Sequence, residues 1–425
     1  MNEFEQNKSI YENAWRGTYL IIPVKVREKK TFYLSNWRCI PFDETDEMSD
    51  KSDLLKRRCE AGYVKKFMPN DEKQMIQFTG NEKIRFSNQQ IYLFENGIGF
   101  LTLFVFCHNN DIESVYKLVN NGYIGAYKGK DTYEILYDEI TRVIDPLNLE
   151  IFTKDKSLLL NESYVHNVAF VEKRFQNLET LEQITLNAHK QIRLETVFRD
   201  QSEKDIWYTF GARDVIKETY RWGCCISTLD ISFVYQDDIL EKTMDPEDIR
   251  KKMILISAGD LLLTVLVLIQ KYTCMQLNGE MHNELYESGN KKKKSERRKK
   301  IKQLKKKALD FRAFGTLAPS QVSRWNNVCE TYRGLLEVHG IDEALVEIEQ
   351  KIDSLSAEQE QQAAEKQNLI TTVITVFGFV SIVASIMTII DLILSGGTIM
   401  AIAGIVSTLS LLILAIGWVK IFARK

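Results

Sequence analysis

The chain has 425 residues and a formal net charge of −2, and 44% of its residues are hydrophobic. This length suggests two or three structural units, at least one of which can bury a full core. The seven cysteines are odd in number and show no CxxC spacing, which indicates reduced, cytosolic thiols and argues against a secreted disulfide framework. The polar, acidic first residues also lack the apolar core of a secretory signal.

Strand and helix signals alternate in the first 245 residues. Residues 18–26 are rich in β-formers, and residues 91–106 predict a hairpin because Asn96 and Gly97 can supply the positive φ of a tight turn. Helical spacing follows in residues 111–122 and 170–198, and strand signals in 207–210 and 224–235. We therefore predict an α/β cytosolic sensor domain with a mixed or antiparallel sheet over residues 1–245.

Aromatic and basic side chains are densest in one short segment of this domain, WYTFGARDVIKETYRWGCC. A nucleotide site needs aromatic platforms for the base and cations for the phosphate, so this segment is a candidate ligand site. An aromatic-rich edge of the core is the alternative interpretation. The candidate ligand-binding residues are Trp207, Tyr208, Arg213, Tyr220, Arg221 and Trp222.

Signals of enzyme chemistry are weak, and we predict neither an enzyme nor a metal site. The five histidines are scattered, and the sequence contains no HExxH, P-loop or GxGxxG motif. The vicinal pair Cys224 and Cys225 is better explained by a buried strand than by a reactive dithiol.

Strand signals stop after residue 246, and residues 246–368 predict a helical region that ends in a stalk. Its first apolar run, residues 253–269, is 17 residues long with Asp260 near the middle. A carboxylate inside a membrane is costly, so we predict a buried helix of the cytosolic domain.

A basic segment follows at residues 291–307, where 12 of 17 residues are Lys or Arg. Outside it the chain carries 44 basic and 57 acidic side chains. Such a run has three interpretations: a solvated, disordered insertion, a surface attracted to anionic lipid headgroups, or a nucleic-acid contact. We favour the first two and do not expect direct nucleic-acid binding.

The stalk begins near Asp342, where Leu345, Ile348, Ile352 and Leu355 follow an a/d spacing. This pattern predicts a long helix that packs against copies of itself. The same register then becomes polar from residue 359 to residue 366, which suggests that the helices diverge around water. A solvated helix that only supports a membrane anchor is the alternative.

Two uncharged stretches of 22 residues each, 369–390 and 398–419, predict transmembrane helices. Each spans roughly 33 Å, enough for the hydrocarbon core of a bilayer. The connection at residues 391–397 is short, so residues 369–425 predict an antiparallel hairpin with a short tail. Basic residues on both flanks place the chain in the plasma (inner) membrane with both termini in the cytoplasm.

One face of the first predicted span is polar or small along its whole length. Small residues on a membrane helix commonly serve close helix packing, whereas hydroxyl and amide groups around an axis can line a pore. Because this face continues the polar stalk register, we predict a pore. The predicted pore-lining residues are Asn368, Thr371, Thr375, Gly378, Ser381 (or Ile382), Ser385 and Thr388, with Asp391 at the mouth.

This organisation of α/β domain, long stalk helix, first span, minimal outer loop, second span and basic C-terminus resembles the CorA-type metal ion transporter superfamily. The hairpin YLFENGIGFLTLFVF is also similar to a strand pair of such domains. The resemblance implies a homopentameric channel. The Gly-Met-Asn signature that such a family places after the first span is absent, because that position reads SIMTIIDLILSGG.

The missing signature and the enlarged cytosolic domain resemble a branch associated with type III CRISPR systems. The resemblance implies a membrane effector of antiviral defence that is gated by a nucleotide second messenger such as SAM-AMP. A CorA-like transporter of divalent cations (Mg, Co or Ni) is the alternative, and a membrane-anchored signalling protein or enzyme is a second one.

Overall fold

The structure is a computed structural model, and it divides into two units. The first contains residues 1–287 and 304–349, and the second residues 288–303 and 350–425. The structure describes residues 14–27, 36–44, 47–71, 75–76, 85–108, 132–156, 159, 163–171, 181–182, 184–186, 189, 207–210, 213–214, 219–236, 244–286, 294–394, 402, 404–406 and 409.

Strands occupy most of the described chain up to residue 236, and helices follow. The strands are β1 (Trp15–Val26), β2 (Trp37–Ile40), β3 (Val64–Pro69), β4 (Phe86–Phe94), β5 (Ile98–His108), β6 (Leu149–Ile151), β7 (Tyr164–Val171), β8 (Trp207–Phe210), β9 (Arg213–Asp214), β10 (Thr219–Tyr220), β11 (Trp222–Ile226) and β12 (Asp230–Gln236). The helices are α1 (Asp53–Glu60), α2 (Thr132–Ile144), α3 (Pro246–Tyr286), α4 (Lys294–Asp310), α5 (Pro319–Val322), α6 (Asn326–Val338) and α7 (Ile341–Leu394), with a 3-10 turn at Asp145–Leu147 and a π-turn at Phe311–Gly315.

Ten strands form one mixed sheet in the order β2-β3-β4-β5-β1-β7-β12-β11-β8, with β6 also paired to β1. The pair β7 and β12 is parallel, whereas β1 pairs antiparallel with β5 and with β7. The predicted run 18–26 lies in β1, and the predicted hairpin is formed by β4 and β5 around Gly97, whose φ is +83°. The mixed α/β sheet is thereby confirmed.

Other predicted elements have mixed outcomes. The helix predicted at 111–122 lies outside the described residues. The helix predicted at 170–198 begins too early, because Phe170 and Val171 belong to β7, although described residues between 181 and 189 are helical. The strand signal at 224–235 covers two strands, β11 and β12, that pair antiparallel.

The two faces of the sheet carry separate cores. Side chains alternate along β1, so that Tyr19 and Ile21 lie in a cluster with α3 and α6, whereas Leu20 and Ile22 lie in a cluster with α2. The first cluster also contains residues of α1. Because α3 and α6 complete this core, the compact unit extends beyond the predicted domain boundary at residue 245.

The apolar run at 253–269 is buried in this unit, as predicted. Residues 261–269 of α3 are each at most 3% exposed. Three polar residues on one face of α3 meet strand residues: Ser257 Oγ lies 3.0 Å from Tyr19 Oη, Tyr235 donates to Asp260 Oδ2 at 3.1 Å, and Thr264 Oγ1 lies 3.2 Å from His166 Nδ1. Ser257 and Thr264 also donate to carbonyls of α3 itself, so Asp260 is the group of this face for which the sheet supplies a partner that hydrocarbon would lack.

The stalk helix α7 is continuous over 54 residues. Ile348, Ile352 and Leu355 of the predicted seam are between 1% and 8% exposed, and Leu345 packs against the α3 core cluster. Three residues of this seam are therefore already covered in the single chain, and its pairing with other copies stays a prediction.

The basic segment is not disordered over its described part. Residues 294–310 form α4, in which Ile301, Leu304 and Ala308 are buried while the lysines from 299 to 307 are exposed. The apolar residues repeat every three or four positions, which gives the helix one buried side.

Close approach of α3 to β1 depends on Gly17. A Cβ at this position would lie 2.4 Å from Met253 Sδ and 2.5 Å from the Phe104 ring. We expect Gly17→Ala to lower the free energy of unfolding by about 1–3 kcal/mol, because both side chains must shift in a packed core. Thermal unfolding of the purified full chain, followed by tryptophan fluorescence, measures the effect.

Gly279, on an exposed part of α3, is the matched control, since a Cβ there has nothing within 4 Å. Gly279→Ala should raise stability by about 0.5–1 kcal/mol through helix propensity. A Gly17→Ala variant as stable as the original chain would contradict the proposed close packing.

Candidate functional site

Part of α7 is long and apolar enough to cross a membrane. This segment, Ala364–Asp391, has 28 residues with a mean hydropathy of 2.5 in its most apolar window, none of which is buried. Phe377, Phe379 and Met387 are each more than 65% exposed. An exposed apolar surface of this size is typical of a segment that lipid or other protein covers.

Two described helices pass this length and composition test, and they differ in burial. In α3 the corresponding window is 72% buried, which identifies it as a core helix of the first unit. The second predicted span, 398–419, lies outside the described residues except for five helical positions at 402, 404–406 and 409.

The residues of the predicted polar stripe are placed differently within the single chain. Asn368, Thr371, Thr375, Gly378, Thr388 and Asp391 are exposed, whereas Ser381 and Ser385 are half-buried. A Cβ on Gly378 would meet nothing within 4 Å, so packing inside one chain does not require a glycine there. Most of the stripe therefore remains available for a second copy, lipid or water.

The stripe hydroxyls donate their protons to their own helix. Thr375 Oγ1 donates to Thr371 O at 2.8 Å, and Ser385 and Thr388 donate to Ser381 O and Ala384 O at 2.7 Å. With the donors satisfied, the helix does not need water on this face. The oxygen lone pairs remain as acceptors, which is the chemistry that contacts a cation or a water molecule.

The predicted aromatic cluster does not converge on one site where its side chains are described. Trp222 packs in the α3 core cluster, with its ring centroid 5.7 Å from that of Phe233. Tyr220 packs with Val234, which points to the opposite face of the sheet. Arg221 is exposed, and the side chains of Trp207, Tyr208 and Arg213 lie outside the described parts. A nucleotide site in this segment stays a prediction.

Two cavities within the described part of the first unit were not indicated by the sequence. One, of about 360 Å³, lies between α3 and the turn after β4, and it contains Glu95, Glu280 and Asp310 with Lys307. Lys307 is paired with Glu280 at 2.7 Å. A phosphate there would meet three carboxylates and a lysine already in an ion pair, so this cavity disfavours anions.

The larger cavity, which we call the edge cavity, has a volume of about 960 Å³ and lies beside α1, β2 and β3. Three lysines line it: Lys56 lies on α1, and Lys65 and Lys66 point to opposite sides of β3. Because they come from different elements and faces, they do not form a recognisable sequence motif. Its apolar lining includes Ile40, Phe42, Met48, Val64, Phe67 and Phe94.

Buried titratable groups in the first unit are structural. Burial lowers the pKa of His166 to about 3, so the ring is neutral and serves its bond to Thr264. Cys224 and Cys225 are both fully buried, and burial raises the pKa of the Cys224 thiol well above its usual value. The buried-strand interpretation of this pair is confirmed.

Ser232, His189 and Asp230 form a group that sequence reasoning missed. His189 Nδ1 lies 3.2 Å from Ser232 Oγ, and its Nε2 lies 3.5 Å from Asp230 Oδ1. These residue types also form nucleophilic triads, but all three side chains are at most 3% exposed, on strand β12 and the helical segment beside it. With no access for a substrate, we interpret the group as a buried polar network.

No set of three or more His, Cys, Asp or Glu residues in the described ranges is arranged to hold a metal ion. Comparison of the chain with protein-family models, with characterised proteins and with solved structures finds no match. The resemblance to CorA-type transporters stays a prediction that rests on the segments quoted above.

Asp260 should make stability depend on pH. Burial raises the pKa of this carboxyl to about 7, and the nearby Lys51 ammonium lowers it only in part. Between about pH 4 and pH 7 the folded state holds a proton that the unfolded state has released, so the free energy of unfolding falls as pH rises through this window.

We expect Asp260→Asn to raise the melting temperature at pH 8 by about 2 °C or more, with little change at pH 5, where the carboxyl is already neutral. The amide oxygen can still accept from Tyr235. Asp353→Asn, at an exposed position of α7, is the control. Equal shifts at both pH values would contradict the assignment of the titration to Asp260.

Proposed function

We propose that the protein is a signal-gated membrane channel, assembled from several copies and opened by a nucleotide second messenger such as SAM-AMP bound to the α/β domain. The observation that carries this proposal is the continuity of α7. One unbroken helix joins a buried first part, with Ile341 and Ile348 at most 2% exposed, to an apolar segment of which nothing is buried. A rigid helix carries a displacement along its length without a hinge.

The exposed surface of α7 supports both membrane insertion and self-association in this proposal. Its apolar segment is about 42 Å long, which exceeds the thickness of a hydrocarbon core. In this proposal the chain is a multi-pass protein of the plasma (inner) membrane with both termini in the cytoplasm. Copies assemble around the stripe of Thr371, Thr375, Gly378 and Thr388, in the homopentamer that the resemblance implies.

A pore is favoured over a simple anchor by the chemistry of that stripe. Thr371, Thr375 and Thr388 are exposed and keep acceptor oxygens directed away from the helix axis, since their protons bond to the backbone. A ring of such oxygens replaces part of the hydration shell of a cation. Opening would dissipate ion gradients and harm the cell, which suits an effector of type III CRISPR defence.

A divalent cation transporter is the second candidate, and Asp391 favours it. This carboxylate is exposed near the end of α7, where copies around an axis would form a ring of hard oxygen ligands. Growth rescue of a magnesium-starved strain by the intact chain would support the transporter, whereas SAM-AMP-dependent growth arrest would support the effector.

Thr375→Leu should abolish ion flux through proteoliposomes that contain the full chain and SAM-AMP, because the larger apolar side chain removes an acceptor oxygen and narrows the axis. Val373→Leu is the matched control, since it adds bulk on the opposite side of the same helix and should leave flux unchanged. Unchanged flux in Thr375→Leu would contradict a pore-lining role and would favour helix packing as the role of the stripe.

Binding is tested separately, by calorimetric titration of the full chain with SAM-AMP. Saturable binding without ion flux would support the proposed nucleotide sensor and would contradict the proposed channel. Flux that does not respond to SAM-AMP would reject this messenger as the signal.

A further inference from the structure

The edge cavity has the size and lining of a small-molecule site. Its volume of about 960 Å³ lies near the upper end of the range for such sites. Phe42, Met48 and Phe67 provide apolar walls, and strand β2 covers only part of the edge of β3, because its pairing ends at Lys66. The remaining edge, at Val64 and Lys65, faces the cavity.

Both signs of charge are available to a ligand in this cavity. Five lining side chains are exposed or half-exposed, and none has an ion-pair partner in the described parts of the chain. They are Glu44, Lys56, Glu60, Lys65 and Glu95. A purely anionic or purely cationic ligand would meet repulsion from part of this set, whereas a molecule carrying both charges would match it.

A sixth charge, Lys66, connects the cavity to the interior. Its ammonium is paired with Glu47 and lies 5.0 Å from the centre of the Phe42 ring. Both side chains of the pair are at most 7% exposed. Glu47 also accepts from Tyr92 Oη at 3.3 Å. An anionic group that draws Lys66 away leaves Glu47 as a poorly compensated buried charge, which is costly.

Glu47 begins a short segment, residues 47–52, that we call the strap. Met48 of the strap lines the edge cavity. The far end of the strap is bonded to the end of α5 and to the turn that follows it: Ser52 N donates to Val322 O at 2.7 Å, Ser52 Oγ donates to Gln321 O, and Ser323 Oγ donates to Asp50 O. One continuous segment therefore contacts both the cavity and the turn that precedes α6.

The turn before α6 leads on to the stalk helix. Ser323 Oγ accepts from Trp325 N at 3.0 Å, so the same side chain that bonds to the strap also bonds to the residue directly before α6. After α6 the chain turns at Gly340, whose φ is +58°, and α7 begins at the next residue. A displacement of the strap thus has a short path to the first turns of α7.

We propose that the edge cavity binds a nucleotide-sized molecule with an apolar or aromatic body and charges of both signs, and that the strap transmits its binding to α6. This inference rests on the proposed function, for which it names the ligand site and the first transmitting segment. It places the site about α1, β2 and β3 and not in the 207–222 segment.

The first test fills the cavity without knowing the ligand. Cys39 is exposed and lines the cavity, so monobromobimane attached to it occupies the space. Cys59 also lines the cavity, but burial raises its pKa to about 12 and keeps it unreactive. The experiment uses the full chain in nanodiscs with Cys329→Ser, because Cys329 is half-buried and competes for reagent, and a serine hydroxyl can still donate to Ser323 O as the thiol does.

Labelling of Cys39 should change hydrogen exchange in peptides covering residues 321–338 by about threefold or more, because the strap shifts and the first turn of α6 loosens. Ser323→Ala removes the bonds to Asp50 and Trp325 but leaves the two bonds of Ser52, so it should weaken this response. Ser354→Ala, which removes a hydroxyl from an exposed turn of α7, is the control and should retain it. Complete labelling with unchanged exchange over 321–338 would overturn the proposal.

The charge match is tested with thiol reagents of opposite sign. Lys65→Glu should slow the reaction of Cys39 with the anionic 2-sulfonatoethyl methanethiosulfonate about threefold or more, and Glu60→Lys should slow its trimethylammonium counterpart to a similar degree. Rates that do not depend on either substitution would overturn the proposed ligand class.

These readouts are independent of ion flux. A chain that shows the exchange response but conducts no ions would reject the channel and retain the edge cavity as a ligand site. A conducting chain without the response would reject the edge cavity and retain the channel.

Discussion

The docking of α3 on the central strands is the contact on which the first unit depends. Gly17 has no side chain that would hold α3 away from β1. With the helix packed this closely, the residues from Leu261 to Ile269 are almost completely buried. Ser257, Asp260 and Thr264 recur on one face of the helix, and each meets a strand side chain. The contact of Asp260 explains why a helix apolar enough for a membrane belongs in this core: in hydrocarbon this carboxyl would lack Tyr235, whereas Ser257 and Thr264 also donate to carbonyls of their own helix.

The stalk helix α7 carries no such carboxylate in its uncharged stretch, residues 369–390. Its hydroxyls bond to carbonyls four residues earlier in the same helix, so its polar groups need no sheet beside them. Its large apolar side chains remain exposed in the single chain. The two helices thus have similar hydropathy but differ in one group: the Asp260 carboxyl of α3 accepts from Tyr235 of the sheet, whereas the hydroxyls of both helices bond to their own backbone.

Two proposed features of the protein share a chain of contacts. The edge cavity meets the strap at Met48 and Lys66, the strap meets the turn before α6, and α6 is followed directly by α7. The buried pair of Glu47 and Lys66 is the part of this chain that an anionic ligand group would disturb most. A buried ion pair is weak evidence for stability. It suits a switch because separating it leaves a buried charge without its partner, and that cost favours a change in the surrounding conformation.

The sequence by itself determined the elements whose signal is local. It identified the hairpin of β4 and β5 from Asn96 and Gly97, the long helix from near residue 342, the apolar segment from residue 369, and the burial of 253–269 from the carboxylate of Asp260. Period and turn chemistry are properties of neighbouring residues, so a single chain reveals them. The same reasoning left the partners of those elements undecided.

Only the tertiary structure decided which faces meet. It placed the stalk seam of Ile348, Ile352 and Leu355 inside the single chain, separated Tyr220 from Trp222 by putting them on opposite faces of the sheet, and folded part of the basic segment into α4. It also brought Lys66 to Glu47 and Ser323 to Asp50, a pair separated by 273 positions. An apolar stripe specifies that a face will be buried but not what will bury it, since hydrophobic burial has no direction of its own.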